Sequence, residues 1–133
     1  MLTHTHHRGL TAGGVKIQRN VDVQAEQELI LDLTLVEGAS NVLHALTVDV
    51  SQIKSIFIST DDANILVETN SAGSPVNVFT VVDGQPFMWG VGDGTLRDTA
   101  ETAVTTDITA LYLTNSGTED ARVRICILVD PTV

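Results

Sequence analysis

The chain has few of the residues that usually crosslink a small domain or line a sugar site. Its 133 residues include one cysteine, one tryptophan, one tyrosine and three phenylalanines. The lone cysteine, Cys126, excludes an internal disulfide. In "VRICILV" it alternates with Ile125 and Ile127, which predicts a small buried apolar residue. The alternative, a reactive thiol, requires an exposed and electropositive setting.

Long apolar segments are also missing. No run approaches the roughly 18 residues of a membrane-spanning segment. The N-terminal "MLTHTHHRGLTAGG" lacks the apolar region of a secretory signal. We therefore expect a protein that is made in the cytoplasm without a cleaved signal and has no membrane partner.

Basic residues are scarce. Lys and Arg number 7 against 17 Asp and Glu, a formal net charge of −10. Such an acidic chain repels phosphate backbones, which argues against a nucleic-acid partner. The first 21 residues hold Arg8, Lys16 and Arg19 and no acid, a net of +3, whereas the other 112 carry 4 − 17 = −13. The sequence predicts a basic, histidine-containing arm over residues 1–20 and one domain over residues 21–133.

Alternation with a period of two residues dominates the rest of the chain. In "ELILDLTLV" the leucines from Leu29 to Leu35 alternate with polar residues such as Asp32 and Thr34, and no long window has a helical period. The predicted strands cover residues 15–23, 27–36, 42–50, 54–60, 64–70, 76–82, 86–91, 109–114 and 121–129. The chain is therefore predicted to be all-β.

This number of short strands suits two packed antiparallel sheets. We expect a jelly-roll-like β-sandwich with an extended N-terminal arm; an immunoglobulin-like sandwich is the alternative. In "VVDGQPF", Asp83-Gly84 predicts a hairpin turn, because such a turn needs positive φ.

Two segments of the domain resemble each other. Asp49-Val50-Ser51 and Asp107-Ile108-Thr109 each precede an apolar–aromatic–apolar strand, a polar turn and a second apolar strand. The Asp and Ser/Thr side chains can cap a single helical turn at a sheet corner. We expect two corner-plus-hairpin units that form facing parts of the sandwich.

The acidic residues in "STDDAN" allow three interpretations. Adjacent carboxylates on a strand point to opposite faces, so Asp61 and Asp62 are a poor catalytic pair. A weak calcium site could use Asp61, Asp62 and Asn64, although their spacing differs from an EF-hand loop. The favoured interpretation is the exposed tip of a hairpin.

The histidines of the arm could present imidazoles to a metal. His4, His6 and His7 lie in "THTHH" without an acid or cysteine nearby in sequence, so we expect an untethered, mobile tail. The chain also lacks a Gly-x-Ser-x-Gly elbow and a phosphate-binding Gly-x-x-x-x-Gly-Lys motif. We expect no enzyme activity, no bound metal and no cofactor.

One long segment has no clear period. Residues 90–107 are rich in Gly, Thr and acids and either line an interface or form a surface excursion with an irregular strand over 103–106. Asp93 and Arg97 within it are candidate partner-binding residues, together with the basic residues of the arm. Trp89 just before it is either a core residue or a subunit contact.

The segments "DVSQIKSIFISTDDANILVETNSAGSPVNVFTVVDGQPFMWG" and "DITALYLTNSGTEDARVRICILVDPTV" resemble small β-sandwich proteins of tailed-phage virions. Members of that group are head decoration or cement subunits that bind where capsid subunits meet. The resemblance covers residues 40–133 and not the arm. It implies a non-enzymatic virion protein that binds the major capsid protein, with a homotrimer as the favoured oligomer. The alternative is a sugar- or calcium-binding sandwich of a tail or fibre.

Overall fold

A computed structural model describes residues 2–61, 64–91 and 106–130. The expectations for Asp62, Asp93, Arg97 and residues 103–106 lie outside these ranges. The strands are β1 (Leu2–Ala12), β2 (Val15–Ala25), β3 (Gln27–Leu35), β4 (Val42–Val48), β5 (Ile53–Thr60), β6 (Ile65–Thr69), β7 (Val78–Val81), β8 (Phe87–Gly90), β9 (Ile108–Asn115) and β10 (Ala121–Val129).

The all-β prediction is confirmed, and the predicted strands from residue 15 onward agree with β2 to β10 within two residues at each end. The strand that the sequence did not predict is β1. It pairs with β2 along its whole length, from Leu2 opposite Ala25 to Ala12 opposite Val15. The N-terminal region is therefore a β-hairpin, and it extends to Ala25.

The strands after the hairpin form the predicted antiparallel β-sandwich. The hairpin β1–β2 is called sheet A here. Of the other two sheets, sheet B has the order β3-β10-β5-β8 and sheet C has the order β4-β9-β6-β7. Within the series β3 to β10, the first strand pairs with the last, the second with the second-last, and so on inward: β3·β10, β4·β9, β5·β8 and β6·β7. This is the connectivity of a hairpin rolled into two sheets, and it makes the fold a jelly roll.

One apolar core lies between the two sheets. Sheet B contributes alternate residues of β10, among them Ile125 and Val123, and sheet C contributes residues such as Leu113 and Val67, all of them buried. The alternation read from the sequence is thus the alternation between core and outer face. Trp89 is half-buried and packs against this core, as the core interpretation predicted.

The "STDDAN" segment is not the tip of a hairpin. β5 belongs to sheet B and β6 to sheet C, so the segment crosses from one sheet to the other. The same holds for the segment between β9 and β10. Alternation in the sequence does not distinguish a hairpin from a connection between the two sheets, because the strands on either side have the same pattern of buried residues in both.

The two similar units lie side by side instead of facing each other. β5 pairs with β10 in sheet B, and β6 pairs with β9 in sheet C. Asp49 caps the 3₁₀ turn Val50–Gln52 as predicted, since its Oδ1 accepts a hydrogen bond from the Ser51 N–H at 2.9 Å. Asp107 caps no turn of its own; its Oδ1 accepts from the Val50 N–H of the other unit at 2.9 Å.

The tight turn at Asp83-Gly84 is present, but the predicted hairpin of two paired strands is wrong, because β7 and β8 belong to different sheets. Gly84 has a φ of 78°, and the Gln85 N–H donates to the Val82 carbonyl at 2.8 Å. Beyond this one bridge the chain enters different sheets, with β7 in sheet C and β8 in sheet B. In the part of the chain that the structure describes, no helix is long and apolar enough to cross a bilayer.

Candidate functional site: the N-terminal hairpin and its groove

The hairpin β1–β2, called the arm below, is a continuous antiparallel ladder. Its strands are joined by Gly13-Gly14, with φ values of 57° and 78°, which is the backbone that a two-residue hairpin turn requires. Side chains at paired positions add cross-strand bonds: Thr5 Oγ1 donates to Asp22 Oδ1 at 2.8 Å, and His7 Nδ1 lies 2.8 Å from Asn20 Oδ1.

The base of the arm, Leu2–His6 with 21–25, lies on the outer face of sheet B. Val23 and Ala25 are buried in a small apolar cluster with Leu128 of β10. The arm also approaches β8, where a Cβ built on Gly90 would lie 3.0 Å from His6 Nε2 and 3.1 Å from Val23 Cγ2. The absence of a side chain at Gly90 therefore permits the close contact between the arm and sheet B.

A polar cluster fixes the same region. Ser55 of β5 is fully buried, and its Oγ lies 2.7 Å from His4 Nδ1 and 2.8 Å from His6 Nε2. The other ring nitrogen of His4, Nε2, bonds Glu28 Oε2 of β3. Since one hydroxyl carries one proton, Ser55 can donate to at most one of the two imidazoles and accepts from the other, which makes the tautomers of the two histidines interdependent.

Carboxylate, imidazole and hydroxyl are also the components of a nucleophilic triad. Here the Ser55 hydroxyl has no exposed surface and is bonded by two imidazoles. A substrate carbonyl could not approach it without displacing the arm. The arrangement is suited to hold the arm on sheet B, and the expectation of an untethered histidine tail is wrong for His4 and His6.

A groove of about 470 Å³ runs beside the base of the arm. It is lined by Thr3, His4, Thr5, His6, Glu28, Phe57, Met88, Arg124 and Cys126. Cys126 is half-exposed here, so the prediction of a buried cysteine is wrong. Alternation is the reason: Ile125 and Ile127 face the core, and the residue between them faces the other side of sheet B.

The rest of the arm, His7–Asn20, is called the tip. Every side chain that the structure describes within it is exposed, including Lys16. Arg8 and Arg19 occupy directly opposite positions in the ladder, where like charges are unfavourable without a neutralising partner. Leu10 and Ile17 are likewise opposite each other, and Val15 at the turn is 58% exposed. The tip thus combines basic and apolar residues.

The calcium candidates that the structure describes already have other partners. Asp61 Oδ1 accepts from the Arg122 N–H at 2.8 Å, and the Asn64 carbonyl accepts from Ser116 Oγ at 3.1 Å. Asn64 has a φ of 62°, a value that Asn tolerates in turns. Within the described ranges, no group of three or more His, Cys, Asp or Glu residues is placed to hold a metal ion.

Nothing in the sequence pointed to Ser55 or Glu28, because they contact His4 from 51 and 24 residues away. One signal was available in "THTHH", where His4 and His6 are two residues apart and therefore share a face of a strand. Comparison of the chain with protein-family models, curated proteins and solved structures gives no significant match.

Proposed function

We propose that this protein is a non-enzymatic structural subunit of a phage virion, a decoration or cement protein that binds across subunits of the capsid and stabilises the head. The observation that carries the proposal is the arm: a hairpin fixed at its base to the jelly roll, whose tip contains Arg8, Lys16 and Arg19 in an otherwise acidic protein. In this role the tip contacts an acidic neighbour in the assembled head, and the protein resides in the virion.

The anchoring of the base supports this role. A free basic tail would lose conformational entropy when it binds, at roughly 1–2 kcal/mol per residue for the backbone alone. The paired strands and the cluster at Ser55 hold the tip in an extended form before any partner arrives. Pre-organisation of this kind increases affinity, because less freedom remains to be lost.

The charge distribution supports it as well. The tip holds Arg8, Lys16 and Arg19, whereas the remainder of the chain is strongly acidic. A contact between basic and acidic surfaces guides the approach of subunits and fixes their relative orientation. The bidentate geometry of arginine favours carboxylates as partners.

Binding to empty shells of the major capsid protein of the same virus tests the proposal. The test variant replaces the tip, residues 7–20, by Gly-Gly. Because His6 and Val21 are paired in the same hydrogen-bonding phase as Ala12 and Val15, a two-residue turn can join them and leave the base intact. Co-sedimentation with the shells should be saturable for the natural chain and lost for this variant.

A second variant keeps the length of the tip and removes its charge: Arg8→Gln, Lys16→Gln and Arg19→Gln. It should bind the shells more weakly, while Lys54→Gln, which removes a base from the sandwich, should bind like the natural chain. Failure of the natural chain to bind, or undiminished binding of the Gly-Gly variant, would contradict the proposal.

The alternative is a calcium- or sugar-binding sandwich of a tail or fibre. A cation that binds the native state must raise the unfolding temperature. Thermal unfolding with and without calcium separates this alternative from the structural role, which predicts no change.

A further inference from the structure

The two side edges of the sandwich differ. At the β7–β8 edge, Phe79 of sheet C and Phe87 of sheet B pack against each other with ring centroids 4.6 Å apart and planes tilted by 33°, and both are buried. At the β3–β4 edge the residues that face the core, among them Leu31 and Leu46, are only half-buried. Among the residues that the structure describes, one edge is therefore closed and the other is open.

The open edge is apolar. Between the sheets it contains a pocket of about 90 Å³, lined by Leu29, Ile30, Leu31, Leu46, Ile125 and Ile127. Ile30 is 52% exposed on β3 and Leu43 is 57% exposed on β4. β3 bonds β10 on one side and no described strand on the other. Soluble proteins usually protect such an edge with charge or cover it.

The charge of this edge is complementary to that of the tip. After the arm, from residue 26 to residue 53, the chain has five acids and no Lys or Arg. Two of the acids, Glu26 and Glu37, are exposed at the two ends of β3. Glu28 and Asp32 within β3 are bonded by His4 and Arg122. A strand with an exposed apolar residue and acids at both ends is complementary to a tip that combines apolar residues with arginines.

The arm leaves the sandwich on the side away from this edge. Its base lies near β3 and β10, where His4 meets Glu28 and Ala25 packs with Leu128. Val23 and His6 then reach Gly90 on β8, the opposite edge strand of sheet B. From His6 to the turn the strand continues for six residues, about 20 Å at roughly 3.4 Å per residue.

From this geometry we infer that the partner of the tip is a second copy of this chain, and that the tip docks on the open β3–β4 edge of that copy. This inference rests on the proposed function, in which the tip is the contact surface, and it adds the identity of the molecule that the tip binds. The tip and the β3–β4 edge lie on opposite sides of the molecule, so the contact is head-to-tail. Such contacts form a closed ring when the rotation from each copy to the next adds up to a full turn. Shell binding then gains from several linked copies.

A charge exchange within the full chain tests the inference. Sedimentation velocity of the isolated natural protein should give a multiple of the 14.2 kDa monomer mass, three-fold for a trimeric ring. Arg8→Glu with Arg19→Glu makes the tip acidic, and Glu26→Lys with Glu37→Lys makes the edge basic. Each pair of changes should reduce the mass to the monomer value, and all four together should restore the oligomer.

The control is Asp83→Lys with Gln85→Lys, which adds charge at the β7–β8 turn on the closed side and should leave the oligomer intact. Restoration by the four-fold variant shows that neither pair acts by unfolding the chain. A monomeric natural protein, or an oligomer unaffected by either pair, would overturn the inference. If the protein is a monomer but still needs its tip to bind shells, only this inference fails. If it forms a tip-dependent oligomer that does not bind shells, only the proposed function fails.

Discussion

Gly90 of β8 lies directly beneath His6 of the arm: a Cβ placed on Gly90 would be 3.0 Å from the His6 Nε2 atom and 3.2 Å from its Cδ2. The ring of His6 is buried at this position and bonds Ser55 through the same Nε2 atom. One residue without a side chain thus decides how closely the arm can approach sheet B.

Gly90→Ala should loosen the arm without unfolding the sandwich. The added methyl group requires the arm to move, and overpacking of this kind costs about 1–3 kcal/mol. Amide hydrogen exchange should increase in residues 2–25 and stay unchanged in β9 and β10. The matched control is Gly73→Ala, because a Cβ at Gly73 meets no atom within 4 Å. Equal exchange in the arms of the two variants would show that the contact at Gly90 does not hold the arm.

Ser55→Ala should release the arm by a different route. The change removes the hydroxyl that bonds His4 and His6, and loss of a partner for buried polar groups costs about 1–3 kcal/mol. Limited proteolysis should cut the arm faster than in the natural chain. Ser59→Ala is the control, since Ser59 is a half-buried serine of the same strand and face. A similar cleavage rate for Ser55→Ala and Ser59→Ala would contradict the anchoring role.

Asn115→Ala should destabilise the whole domain. Its buried side chain donates from Nδ2 to the carbonyls of Leu35 and Glu119, at 3.1 and 2.8 Å, and accepts from the Gly117 N–H at 2.9 Å. The substitution leaves backbone groups near the β3–β4 and β9–β10 connections without this hydrogen-bond partner. We expect the free energy of unfolding to fall by about 1–3 kcal/mol. Urea unfolding measures it, with the exposed Ser116→Ala as control. Equal midpoints for the two variants would refute this role.

Asp32 gives the domain a pH-dependent contribution to stability. A bidentate hydrogen bond from Arg122, with both N–O distances 2.9 Å, lowers the pKa of Asp32 below its ordinary value of 3.8. A lowered pKa in the folded state means that the contribution is present above pH 3.8 and is lost as the pH falls through the folded-state pKa.

Asp32→Asn should therefore unfold at a lower temperature than the natural chain near neutral pH, and the difference should shrink in acid. High salt should also reduce it, because the pair is exposed. Asp83→Asn controls for the loss of one carboxylate away from Arg122. A difference that persists unchanged in acid would contradict the assignment.

The sequence predicted the sandwich well because its signal is local. Alternation along β3 or β10 needs only that one face of a strand be buried, and the jelly-roll connectivity was expected from strand number and length. Which strands change sheets is not local information: Asp61 to Asn64 looks like a hairpin tip until β6 is found beside β9. Cys126 was misassigned because half the residues of a well-formed strand face away from the core.

The candidate site was predictable only in its charge. The basic residues from Arg8 to Arg19 stood out in composition, but their pairing in a ladder depends on contacts of the base with β3, β5 and β8. His4 has its acid partner in Glu28, 24 residues away, and its hydroxyl partner in Ser55, 51 residues away. Separations of this size are fixed by the tertiary fold and leave no trace in a local pattern.

The most direct test of the central claim is the temperature at which empty shells of the major capsid protein disrupt, measured by light scattering with and without this protein. The natural chain should raise this temperature, and the variant with residues 7–20 replaced by Gly-Gly should not. A disruption temperature that stays the same at saturating natural protein would contradict the claim.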